Sequence, residues 1–272
     1  MLIFRKSLDF SKLGMPYAYR SKIHGVLINS LNPNFKMQMN IHRASERGTA
    51  NIGWLQTSYS FSFSNYHNPK RMGFGALRVL NDDTFAAGAG FPAHSHSDME
   101  IVTIVLEGAL EHKDSSGGHG VINAGEVQYM CAGSGVTHSE FNHSKTEPVK
   151  LFQVWVVPSK QNLPPKYEQK SFEGADMKNK FSMIVSGKKE KCAFHTNQDA
   201  VFSIGEFDKG KSISYSATFK GNGIFVFPVS GSVEIGDEKI NARDSAEITG
   251  SNEIEIKALE KSKVLVIEVP VK

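Results

Sequence analysis

Cysteine is scarce in this 272-residue chain, which carries only Cys131 and Cys192. Two thiols could close one bridge but cannot make a disulfide framework, so a reduced, cytoplasmic protein is the simpler expectation. Long hydrophobic runs are also missing. No stretch approaches the ~20 apolar residues that span a bilayer, which argues against a membrane partner. The opening MLIFRKSLDF has basic residues but no sustained apolar segment behind them, so a secretory leader is not expected. Charge of one sign is in short supply: the net value is +3 and dispersed, too little to imply direct nucleic-acid binding. A convincing long amphipathic helix is absent as well.

Many short strand-like segments are present instead. Trp54–Phe63 alternates over part of its length and reads as a strand; Phe74–Leu80 reads as another, with the Asn-Asp-Asp at 81–83 expected to break it. Glu100–Gly108 is rich in Val, Ile and Thr and apolar on both faces, as suits a strand buried between layers. Ser115–Gly118 is a turn signal, and Leu151–Val157 is a further strand stopped by Pro158. Residues 158–175 are polar and carry Pro164 and Pro165, which sit poorly inside strands, so they read as a connection. The second half repeats the strand rhythm, and the hairpin around residues 236–238 loosely echoes the first half. The class is all-β, a sandwich or barrel arrangement repeated twice. Three segments are expected: a basic extension over 1–40, a first barrel over 41–165 and a second over 166–272. Residues 1–50 hold eight Lys/Arg against two Asp/Glu, and Met37 or Met39 offers an alternative translation start.

The chemistry concentrates in His94-Ser95-His96 and, 42 residues beyond His96, in His138-Ser139-Glu140. Side chains two apart on a strand share a face, so two neighbouring strands could bring three imidazoles and a carboxylate around one ion. Six of the ten histidines fall between residues 94 and 143, although His112, His119 and His143 are not needed for such a site. Nitrogen and carboxylate donors suit divalent Fe, Mn, Ni, Cu or Zn. With one carboxylate the centre keeps positive charge and can take an anionic oxygen. Glu140 is a candidate ligand and also a candidate base. Glu100 lies in phase with His94 and His96, which makes it a lesser ligand candidate and more plainly a supporting or structural residue.

The segments FSFSNYHNPKRMGFGALRVLNDD, FPAHSHSDMEIVTIVLEGALEHKDSSG and INAGEVQYMCAGSGVTHSEFN resemble, in order, those of the pirin family within the cupin superfamily. The resemblance is strong from about Asn51 to Val157 and weaker beyond. It implies a bicupin, two antiparallel β-barrels of the double-stranded β-helix type set face to face. It implies one metal, foremost Fe(II), on His94, His96, His138 and Glu140 of the first barrel. The second barrel has no His-x-His pair, and His195 is its sole histidine, so a second site of this kind is not expected. Where many pirins carry proline between the first two ligands this chain has Ser95, and the usual glycine-threonine lead-in is Pro92-Ala93. The resemblance implies an oxidoreductase similar to quercetin 2,3-dioxygenase, taking a small aromatic substrate and O2, with Glu140 as base and Phe91, Met130 and Phe141 as candidate pocket walls. The alternative it carries is a non-enzymatic, redox-responsive regulator whose partner is another protein.

Overall fold

Alternation of apolar and polar side chains decides most of the architecture. The computed structural model describes residues 37–172, 177–189 and 193–271, so the expected basic extension falls outside it except for residues 37–40, and Cys192 falls outside it too. Apart from a 3-10 turn at Ala44–Glu46, every regular element among the described residues is a strand. In chain order these are β1 (Gln38–His42), β2 (Gly48–Asn51), β3 (Leu55–Tyr59), β4 (Leu77–Phe85), β5 (Gly90–Glu107), β6 (Ala109–Asp114), β7 (His119–Asn123), β8 (Glu126–Asn142), β9 (Val149–Val156) and β10 (Lys166–Ser171). They continue as β11 (Phe181–Ser186), β12 (Phe194–His195), β13 (Val201–Phe207), β14 (Ser212–Ser216), β15 (Gly223–Ser230), β16 (Ser232–Ile235), β17 (Glu238–Asn241), β18 (Ser245–Thr249), β19 (Glu253–Ala258) and β20 (Ser262–Val269).

The first barrel is built on the sheet β2-β3-β4-β9-β5-β8-β6-β7, with β10 paired to β8. The second combines the sheet β1-β18-β15-β20-β13-β11-β12 with the sheet β14-β19-β16-β17. Among the described residues the strands pair antiparallel except for the short β11–β12 contact, and an isolated parallel bridge joins Lys178 to Glu206. The all-β expectation is met. The barrels face each other across one shared core, to which the first contributes Val102, Tyr129 and Phe152 and the second Phe202, Phe227 and Leu265. That explains why β5 is apolar on both sides: Val102 and Ile104 enter the shared core, while Ile101 and Val105 face the first barrel's interior. A core of this extent is the main source of stability, because removing apolar surface from water dominates the favourable side of folding.

Three expectations require correction. Asn81, Asp82 and Asp83 do not break a strand; β4 runs through them to Phe85. Asp82 is held by Arg47 at 3.4 Å and Arg243 at 2.9 Å, while Asn81 and Asp83 turn to the barrel interior, so tertiary partners override the turn preference of these residues. The presumed connection contains β10, a six-residue strand in register with β8 from Lys166↔Cys131 to Ser171↔Glu126, so these residues extend the first sheet rather than the second. Its prolines stop just short of it at 164 and 165, leaving the ladder intact. Conversely β1 pairs with β18 of the second barrel, from Gln38↔Thr249 to His42↔Ser245, although it precedes the first barrel in sequence. Arg43 and Ala44 fasten it by hydrogen bonds to Asp244 at 3.1 and 2.7 Å.

Candidate metal centre

The histidine pair on β5 faces inward because β5 and β8 slip past each other twice. Phe91 pairs with Glu140, but His94 pairs with His138 and His96 with Val136; after Asp98↔Gly133 the original register returns. Irregularities between Phe91 and His94 and between His96 and Asp98 therefore bracket the pair. A one-residue slip exchanges the two faces of a strand, and a bulge does this locally. Asp98 occupies the left-handed region at φ 62° and Gly133 does so at φ 47°, where a side chain on Gly133 would strike the Leu163 carbonyl. The shifted segment sends His94 and His96 into the first barrel together with Phe91 and Ile101.

The same slip removes Glu100 from the site and corrects its expected phase. Glu100 is buried on the far face, where one oxygen accepts from Tyr129 Oη, Asn197 N and Asn197 Nδ2, each at 2.7 Å, and the other accepts from the Thr196 hydroxyl. It ties the barrels together. Met130 is also displaced from its expected role: it packs with Ile101, Ala132 and Val136 and lies off the cavity wall. Phe141 follows Glu140 on β8, so its side chain leaves the opposite face of the strand and does not line the cavity either.

His94, His96 and His138 offer ring nitrogens that all lie within 4.8 Å of one another. Glu140 groups on the same criterion with His138 and His112, not with all three histidines. The hydrogen-bond network fixes which nitrogens are free. His94 Nδ1 donates to the Pro92 carbonyl at 2.8 Å, which leaves Nε2 with its lone pair. His112 Nε2 donates to Asp114 Oδ2 at 2.9 Å, so its Nδ1 is the acceptor facing His138 Nδ1 at 3.5 Å. His138 Nε2 is then unprotonated, and it is buried with no hydrogen-bond partner. An orphaned lone pair among converging imidazoles is the arrangement a metal ion satisfies. Between the two histidines, the Ser95 hydroxyl bonds that of Thr137 across the strands at 2.8 Å.

Burial, aided by His94, lowers His96 to about 4. Burial, aided by His94, His96 and His112, lowers His138 to about 3. Both rings are neutral at physiological pH, the state that binds metal. Burial pushes Glu140 up to about 7, against the pull of Gln153 and with a further push from Asp83. Gln153 Nε2 donates to both Glu140 oxygens, at 2.9 and 2.8 Å, and its own carbonyl accepts from Thr103 at 3.3 Å. Asp83 is likewise raised to about 7, chiefly by burial.

These groups open onto a cavity of about 290 Å³. Its apolar wall is formed by Leu55, Phe63, Phe91, Ile101 and Trp155. Phe91 was legible from the sequence; Trp155, whose ring meets His96 edge-on at 4.9 Å, was not, since it reads as one more apolar residue of a buried strand. Asn81, Asp83 and Gln153 also escaped notice. The available signal was polar side chains persisting at alternate positions inside strong strands.

Residues 40–156 match the family described as Pirin, and residues 183–269 match the one described as Quercetinase C-terminal cupin domain. The chain is 38% identical to a quercetin 2,3-dioxygenase of Escherichia coli K12 over 230 residues, 85% of this chain and 98% of that one. It is 38% identical to a pirin-like protein of Caulobacter vibrioides over 222 residues, 81% of this chain and 95% of the other. The crystal structure of YhhW from Escherichia coli matches with a TM-score of 0.82 at 37% identity, covering 86% of this chain and 99% of that one. A structure of the bacterial pirin YhhW in complex with nickel(II) matches with the same TM-score and identity, covering 86% and 100%.

Proposed function

The chain belongs to the pirin family, and from that membership we propose that it is a metal-dependent dioxygenase cleaving flavonols such as quercetin. The observation that carries this reading is the convergence of three imidazoles on a largely apolar cavity. His94, His96, His138 and Glu140 hold one divalent transition metal, foremost Fe(II), with Ni, Mn, Cu or Zn as alternatives. When bound, the ion supplies the Lewis-acid and redox chemistry that lets a flavonol and dioxygen react in one place.

The chain's own residues prepare that reaction. Leu55, Phe91, Ile101 and Trp155 give a flat aromatic ligand an apolar seat and keep water from it. Glu140, pushed up by burial and pulled down again by a bound cation, accepts the proton of the flavonol 3-hydroxyl on a carboxylate oxygen and leaves the ligand as its anion. Gln153 reaches both Glu140 oxygens, so the carboxyl keeps its place whichever oxygen takes the proton.

The test is anaerobic purification, elemental analysis, loading with Fe(II), and turnover of quercetin with detection of released carbon monoxide. The loaded protein is expected to consume quercetin. His138→Ala and Glu140→Ala should lower metal content and abolish cleavage, whereas His195→Ala, in the second barrel, should leave both unchanged. Full loading without turnover would overturn the enzymatic reading, and metal loss in His195→Ala would overturn the single site.

A further inference from the structure

Polar residues inside a buried strand are costly unless something is bonded to them. β4 places two such residues, Asn81 and Asp83, on the cavity wall, and each is only 4% exposed. They are neighbours on one face, being two apart. Asn81 Oδ1 has no hydrogen-bond partner, although Thr57 and Tyr59 of β3 and Gln153 of β9 flank these positions in register. Arg47 and Arg243 make their ion pairs with its neighbour Asp82 on the opposite face, so Asp83 has only the Thr57 side chain and the more distant charge of Arg47 to favour its anion. Asn81 pairs across the ladder with Gln153, whose amide holds Glu140, so the polar row runs from Glu140 through Gln153 to Asn81 and Asp83. Adjacent strands are about 4.8 Å apart, so this patch lies roughly one strand spacing beyond Gln153.

We propose that Asn81 and Asp83 form a second polar subsite that accepts a hydroxyl group of a flat phenolic ligand while another oxygen of that ligand faces the histidine triad. The proposal rests on the flavonol reading and deepens it by naming the feature recognised. The unpartnered Asn81 Oδ1 is an acceptor, and Asp83 accepts when ionised, so the complementary ligand group is an O–H donor. Leu55, Phe63, Phe91 and Trp155 supply the apolar walls for the ring that carries it. A site that holds an acceptor for a ligand hydroxyl discriminates sharply against the analogue lacking it, because that acceptor is then left unpaired. Asn81 and Asp83 are thus specificity determinants for polyhydroxylated flavonols over those bearing the 3-hydroxyl alone.

The experiment measures equilibrium binding of quercetin and of 3-hydroxyflavone to the metal-loaded, oxygen-free protein by quenching of tryptophan fluorescence. Wild type is expected to favour quercetin by about tenfold or more, the scale of one hydrogen bond to a charged group. Asp83→Ala and Asn81→Ala should each reduce quercetin binding by about tenfold, leave 3-hydroxyflavone unaffected, and keep full metal. Asp83→Asn, which preserves shape, should give a smaller loss in the same direction. Equal weakening of both ligands would mark a structural role and overturn the subsite, as would unchanged discrimination in all three variants. Either result leaves the flavonol reading standing. A loaded wild type that binds neither compound overturns that reading and the subsite with it.

Discussion

Replacing His112 with phenylalanine should weaken metal binding although His112 itself has no place in the proposed ligand set. Its Nδ1 accepts from His138 Nδ1 at 3.5 Å and its Nε2 donates to Asp114 Oδ2 at 2.9 Å. Asp114 is in turn fixed through its other oxygen by Ser116 N at 2.8 Å, Ser116 Oγ at 2.6 Å and Gly118 N at 3.0 Å. Burial alone would raise the Asp114 carboxyl, but these donors and His112 hold it below its ordinary range, so it remains an anion. The chain Asp114–His112–His138 thus sets the tautomer and the ring orientation of His138. Phenylalanine keeps the ring that stacks on Tyr167 at 4.7 Å, so the variant removes the hydrogen bonds while retaining most of the packing. Partners of this kind are worth roughly tenfold to a hundredfold in metal affinity, about 1.4–2.8 kcal/mol. Competition against a chelator of known affinity measures the change, with thermal melting of the metal-free protein as the folding control. An affinity equal to wild type in a normally folded variant would refute the assigned tautomer and the chain behind it.

Glu100→Gln should behave in the opposite way: it removes an anion that accepts from Tyr129, Thr196 and Asn197, costing about 3 kcal/mol in urea unfolding, with metal content unchanged. Metal loss would make Glu100 a ligand rather than a structural residue. In the metal-free protein, Glu140→Gln should become progressively more stable relative to wild type as pH rises. The wild-type carboxyl titrates near 7 when folded against 4.5 unfolded, so its buried charge costs nothing below about pH 4.5 and its full penalty above about pH 7. That penalty is about 3 kcal/mol, and a stability difference that stays flat across this window would contradict it.

Much of the site was legible because strand periodicity is strict. The His94/His96 and His138/Glu140 spacings imply shared faces whatever the rest of the chain does, and the structure brings the three histidines together. Glu100 was misplaced because the two register slips around His94 and His96 have no clear local signature: Asp98 at positive φ is an aspartate like any other in the sequence. The Asn-Asp-Asp segment was misread because its turn preference is overridden by Arg47 and Arg243, which pair with Asp82 from 35 and 161 residues away in sequence and are adjacent only in the fold. β10 was missed because its six residues carry four charged or amide side chains and bury none fully. β1 was invisible for a different reason: its partner lies about two hundred residues away, and no local pattern encodes so distant a pairing.

The lacing of β1 into the second barrel has a consequence for dissection. A fragment beginning after His42 would keep every candidate ligand yet strip β18 of its outermost neighbour, baring a row of peptide groups along Ser245–Thr249. Such an uncovered margin recruits foreign strands. The half that carries the candidate ligands and its partner half therefore share a seam that cloning boundaries drawn between barrels would tear.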